Sequence, residues 1–129
     1  MKLHHVGRML FKMPYLPVLT WAGLILFGST SAGTTIAIPR ELSVEPDKLA
    51  HALAYGVLAL LLLLGNRYAS TPNTRWRTAL SLLFCLGFGV ALEWVQYYFF
   101  PGRQFEYLDM LANAVGISLG WMTYFFIIK

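Results

Sequence analysis

Apolar residues in this chain fall into four long runs separated by short polar segments. The runs cover about residues 15–32, 49–65, 78–99 and 108–128. A helix needs about 20 mostly apolar residues to cross the hydrocarbon core, with a range of roughly 17–25. Each run meets that length. The second includes Val57–Leu64, where no side chain carries a polar atom. No run sustains the period-2 alternation of a half-buried strand. Backbone groups in hydrocarbon have to be paired within their own segment, so the pattern predicts helices. The connectors carry breakers: Pro39 and Pro46 in the first, Pro72-Asn73 in the second, Pro101-Gly102 in the third. The expected fold is all-α, one membrane domain over residues 1–129 with four transmembrane helices. The first helix has a second reading. Lys2, Arg8 and Lys12 ahead of an apolar core, with Ser29-Thr30-Ser31-Ala32 behind it, also have the shape of a cleaved signal peptide.

Composition agrees with the pattern. Hydrophobic residues make up 57% of the 129 and charged residues 12%, against about 25% charged in soluble domains. Disorder and a water-soluble domain of this size are both excluded. A single cysteine, Cys85, rules out an intramolecular disulfide, and no CxxC or Cys/His metal spacing occurs. No metal and no cofactor are expected, and the composition gives no reason to expect a nucleic-acid partner.

The distribution of charge predicts topology. Lys and Arg concentrate in cytoplasmic loops. Lys2, Arg8, Lys12, Arg67, Arg75, Arg77 and Lys129 lie on one side of the predicted helices; Arg40, Lys48 and Arg103 lie on the other. All six acids, Glu41, Glu45, Asp47, Glu93, Glu106 and Asp109, fall on this second side. Both termini and loop 66–77 are therefore expected in the cytoplasm of a bacterial inner membrane, with loops 33–48 and 99–108 outside. Tyr68 and Trp76 would mark one interface, and Trp94, Tyr97, Tyr98, Phe99 and Phe100 the other.

The expensive side chains gather at the outer end. Asp47, His51 and Tyr55 recur at i, i+4, i+8 and share a face, beside Lys48. Glu93, Gln96 and Tyr97 close the third helix, Asp109 and Asn113 open the fourth, and Arg103 lies between them. Charges in the bilayer face the bundle interior and mark functional sites. Each residue also has a plain structural role: helix capping for Asp47 and Asp109, a satisfied pair for His51, an ion pair for Glu93 with Arg103, an interhelical hydrogen bond for Asn113. It is their joint placement that points to a pocket. The inner ends show no comparable set. Ala112, Gly116 and Gly120 form a small-residue face on the fourth helix, suited to close packing within the chain or against a membrane-protein partner, with Gly87 and Gly89 as candidate counterparts.

The segment Asp47-Lys48-Leu49-Ala50-His51-Ala52-Leu53-Ala54-Tyr55 resembles the first signature of the VanZ-like family. Glu93-Trp94-Val95-Gln96, Pro101-Gly102-Arg103, Leu108-Asp109-Met110-Leu111-Ala112-Asn113 and Gly116 resemble the second. The likeness covers about residues 47–120. It implies a small polytopic bacterial membrane protein of the cell envelope, from a family named for a member associated with resistance to the glycopeptide teicoplanin. Asp47, Lys48, His51, Tyr55, Glu93, Gln96, Arg103, Asp109 and Asn113 fit the family pattern. Ala52 stands where an aromatic is common, which would widen a pocket, and Glu106 where an Asp is common. The expected function is binding of an envelope lipid or glycan among the membrane lipids. The alternatives are an enzyme on lipid-linked phosphate or glycan, using His51 with Asp47 and Glu93 or Asp109, and a structural subunit docking through Gly116 and Gly120.

Overall fold

The computed structural model describes residue 8 and residues 12–30, 46–69, 73–99 and 107–128. Four helices account for most of them: α1 (Leu16–Thr30), α2 (Pro46–Tyr68), α3 (Arg75–Phe99) and α4 (Tyr107–Ile127). The described residues contain no strand. Local signals explain several starts. Proline stands first in α2 and second in α1, where a missing N–H removes no intrahelical bond. Thr74 caps α3, its Oγ accepting the Arg77 N–H at 3.3 Å. The segments Lys48–Tyr68, Arg75–Phe99 and Tyr107–Ile127 are long and apolar enough to cross a membrane. The 15 residues of α1 span about 22 Å, less than the roughly 30 Å of hydrocarbon. The first span was expected over residues 15–32, of which Ser31 and Ala32 lie outside the described residues.

Solvent on the flanks has to be lipid. Leu19, Phe27, Leu53, Leu83, Phe84, Leu119 and Phe125 all project outward, an apolar surface that water would not tolerate. Along α3, Trp76 and Tyr97 are both exposed and lie 21 residues apart, or about 32 Å, close to the hydrocarbon thickness. The interior is thin and apolar, built on Tyr55, Leu58, Ala59, Cys85, Leu92 and Ile117.

α2 and α4 run parallel, and both are antiparallel to α3, as the cross-helix contacts require. The α2–α4 pair is the closest in the bundle. A Cβ on Gly116 would lie 2.0 Å from the Ala52 carbonyl oxygen, and one on Gly120 2.2 Å from that of Gly56. The hydrogens in those places point at carbonyls in adjacent α2, a geometry suited to Cα–H···O contacts. The small-residue face of α4 is thus occupied inside the chain. Its counterpart is Ala52 and Gly56 of α2, in place of the expected Gly87 and Gly89. Gly87 has open space around it. Ala52 stands at this backbone contact.

α1 is pinned at three heights. Tyr15 donates to Asn66 Oδ1 at 2.9 Å, the Trp21 indole to the Ala54 carbonyl at 2.8 Å, and Gln96 to the Ser29 carbonyl at 2.7 Å. Ser29 is in the last turn of α1, where carbonyls lack intrahelical partners.

The end of the bundle where α2 finishes and α3 begins holds a polar set that the residue order does not announce. Asn66 donates to Asn73 Oδ1 at 3.0 Å and to the Ser81 hydroxyl at 2.9 Å. Asn73 donates to the Leu63 carbonyl at 2.9 Å and to the Tyr124 hydroxyl at 2.7 Å. With Tyr15 this uncharged network links all four helices. Proline-asparagine reads as a turn in sequence, yet here the asparagine side chain is a hub. Asn73→Ala removes the acceptor of one donor and the donor to two acceptors. It is expected to cost about 1–3 kcal/mol, seen as a lowered melting temperature of the purified protein in detergent. An unchanged melting temperature would remove the network from the account of stability.

Candidate functional site

The first two turns of α2, the last two of α3 and the first two of α4 meet at the end opposite the asparagine network. Parallel packing of α2 on α4 sets the register. One turn from the Ala52–Gly116 contact, His51 Nδ1 lies 3.2 Å from Asn113 Oδ1. A further turn out, the Lys48 ammonium forms a close hydrogen-bonded ion pair with Asp109 Oδ1. The other carboxylate oxygen of Asp109 is 3.8 Å from His51 Nε2. α3 contributes Glu93, and one ligand-type atom from each of His51, Glu93 and Asp109 lies within 4.8 Å of the others.

These groups are withdrawn from solvent. Glu93 retains 4% of its accessible surface, Asp109 6% and Asn113 2%, while Lys48 and His51 are half-buried. Among the described residues, no buried side-chain nitrogen or oxygen lacks a hydrogen-bond partner. A buried cluster this polar is stable only when fully partnered. Asn113 Oδ1 can only accept, so His51 Nδ1 donates and carries a proton. His51 Nε2 then faces Asp109.

Tyr55 is buried beneath this layer. Its ring is parallel to that of His51, with centroids 6.5 Å apart, and it meets Phe88 of α3 at 6.3 Å. Gly89 makes the room: a Cβ there would lie 2.8 Å from Asn113 Nδ2 and 3.1 Å from the Tyr55 ring. This glycine serves the site, and Gly56 serves the helix pair.

Of the expected site residues, Lys48, His51, Tyr55, Glu93, Asp109 and Asn113 come together. Gln96 lies one turn beyond Glu93, and its amide docks α1. Arg103, Glu106 and the side chain of Asp47 lie outside the described residues, as does Phe100. His51 is met across the helix pair by Asn113 and Asp109. Sequence reasoning passed over Gly56 and the role of Gly89. The Ala52-x-x-x-Gly56 spacing was a visible signal, the same small-xxx-small pattern read on α4.

The arrangement offers an ammonium, an imidazole, two carboxylates and a carboxamide at one end of a lipid-facing bundle. It can bind polar headgroups, exchange protons, or hold a cation. Comparison with curated proteins and with solved structures finds no match. The family model VanZ/LLP1 matches residues 10–128, nearly the whole chain, from before α1 to the end of α4. This span includes both stretches in which the resemblance was seen, and so the chain belongs to the VanZ/LLP1 family.

Proposed function

We propose that this chain spans the bacterial inner membrane four times, with both termini in the cytoplasm, and binds the headgroup of an envelope lipid or glycan at its outer end. The observation that carries this reading is the convergence of Lys48, His51, Glu93, Asp109 and Asn113 from three helices at one end. Buried ionisable groups in a membrane bundle are costly and mark binding or transport sites. Their place at an edge, not at mid-membrane, favours a headgroup over a transported solute. The seven-to-three split of Lys and Arg supports an outward position for that edge. Restricted access of a glycopeptide to its envelope target would follow from occupancy of such a site.

Orientation is tested with a reporter active only in the periplasm. A fusion after Arg103 should be active and one after Arg75 silent. The reverse result would move the site to the cytoplasmic leaflet and end the envelope reading.

Ligand binding is tested by native mass spectrometry of the full chain in nanodiscs of phosphatidylglycerol and phosphatidylethanolamine, with undecaprenyl phosphate added. The wild type should carry a lipid adduct that Lys48→Ala and His51→Ala lose. Equal retention in all three would refute the site. A second reading, acid–base catalysis on a lipid-linked phosphate or glycan, rests on His51 Nε2 facing Asp109 Oδ2. It requires product to accumulate in the same samples, dependent on His51.

A further inference from the structure

We propose that His51, Glu93 and Asp109 form a binding site for one divalent transition-metal cation, Zn²⁺ or Mn²⁺. Nothing in the sequence spacing announces it, because each ligand comes from a different helix. Three observations carry it.

The first is the donor set and its span. One imidazole nitrogen and two carboxylate oxygens lie within 4.8 Å of one another. Zinc-type ions bind such donors at about 2.0–2.2 Å, which places the donors roughly 3–4 Å apart. Imidazole suits zinc, and carboxylate suits manganese, so a mixed set fits either.

The second is the orientation of the histidine. Asn113 Oδ1 accepts from Nδ1, which leaves Nε2 as the atom directed at Asp109. Ligating histidines are held this way, with the second nitrogen donating to a carbonyl or carboxylate. A metal ion on that side would bind the ring nitrogen and the carboxylate oxygen together.

The third is the location of two carboxylates in one buried cluster. Glu93 and Asp109 are both more than nine-tenths buried, and buried carboxylates are commonly paired or bound to metal ions. A divalent ion would bind one oxygen of each. Lys48 takes Asp109 Oδ1 and leaves Oδ2 on the histidine side. Its ammonium is therefore a neighbour of the ion, one that weakens binding while orienting the carboxylate. Three protein donors leave coordination positions for an oxygen ligand, such as a phosphate or a sugar hydroxyl.

The test uses the full chain in detergent, stripped with chelator, incubated with Zn²⁺ or Mn²⁺ and desalted. Elemental analysis should find about one ion per chain, the stoichiometry of a site with a fixed set of ligands. His51→Ala and Glu93→Gln should lose the ion. Asn113→Ala should weaken affinity by roughly 10–100-fold, the usual effect of losing an outer-shell partner. Lys48→Met should tighten it several-fold, the opposite of what a purely structural ion pair predicts. Should the ligand variants fail to fold, pulsed EPR of the Mn²⁺-loaded wild type reads the same question, since a bound histidine nitrogen gives a ¹⁴N hyperfine signal. Absence of retained ion, equal retention in the variants, or no nitrogen coupling would overturn the proposal. No lipid ligand is added in these measurements, so their failure leaves the headgroup reading standing.

Discussion

Gly116→Leu is expected to abolish the native bundle. The Ala52 carbonyl oxygen stands 2.0 Å from the place of the new Cβ, and it belongs to a helix backbone that cannot rotate away. Accommodation requires α2 and α4 to separate. Overpacking a well-packed interior usually costs about 1–3 kcal/mol, occasionally more. Here the displaced groups are two whole helices, together with the ion pair and histidine contact whose register they set, so the cost belongs at or above the top of that range. The measurement is the yield of monodisperse protein after detergent extraction and its melting temperature. Gly120→Leu should behave alike, with 2.2 Å to the Gly56 carbonyl oxygen. Gly23→Leu and Gly87→Leu, with nothing within 4 Å of the added Cβ, should extract like the wild type. A wild-type melting temperature for Gly116→Leu would show that the two helices are not in backbone contact. Because α2 covers this face, a membrane partner has to dock elsewhere on the bundle.

Asp109→Ala is expected to have the second largest effect. It leaves the Lys48 ammonium and His51 without the carboxylate that both face. Removing one partner of a buried pair typically costs about 3–5 kcal/mol. Lys48 keeps 17% of its side-chain surface and can extend toward the headgroups, so a loss of about 3 kcal/mol, the low end of that range, is expected, read from unfolding in mixed micelles. Lys48→Met combined with Asp109→Leu should recover most of that loss, since apolar replacement of both members of a buried pair is often neutral. A double variant as unstable as Asp109→Ala alone would show that Asp109 is held by groups other than Lys48. The same double variant should bind neither lipid headgroup nor cation, which separates stability from function.

Much of this was legible from residue order. The run Leu49–Gly65 announced α2, and the structure extends it to Pro46–Tyr68 because polar residues at both ends continue the helix into the interface. The i, i+4 spacing of Asp109 and Asn113 placed them on one face of α4, where they are both buried. What spacing could not supply was the pairing between helices. That Lys48 meets Asp109 and His51 meets Asn113 follows from the offset of α2 against α4. Gly56 and Gly116 fix that offset through backbone contact; the small-residue spacing is visible on each helix, but which two faces pair is not. The asparagine network at the opposite end escaped for a different reason. Uncharged residues near helix ends look like ordinary loop chemistry until their partners are known. The short α1 was legible as an apolar run. Its attachment through Gln96, Trp21 and Tyr15 was not, since two of those bonds end on backbone carbonyls.

The parallel pairing of α2 with α4 has a consequence for biogenesis. Helices leave the ribosome in chain order, and α3 separates these two. Lys48 and His51 therefore enter the bilayer before Asp109 and Asn113 exist to receive them. A nascent chain halted after α3 holds Lys48, His51 and Glu93 without Asp109 and Asn113 of α4. Arrival of α4 brings the glycine contact and closes the polar cluster in one step, so the site is assembled only once α4 is in place.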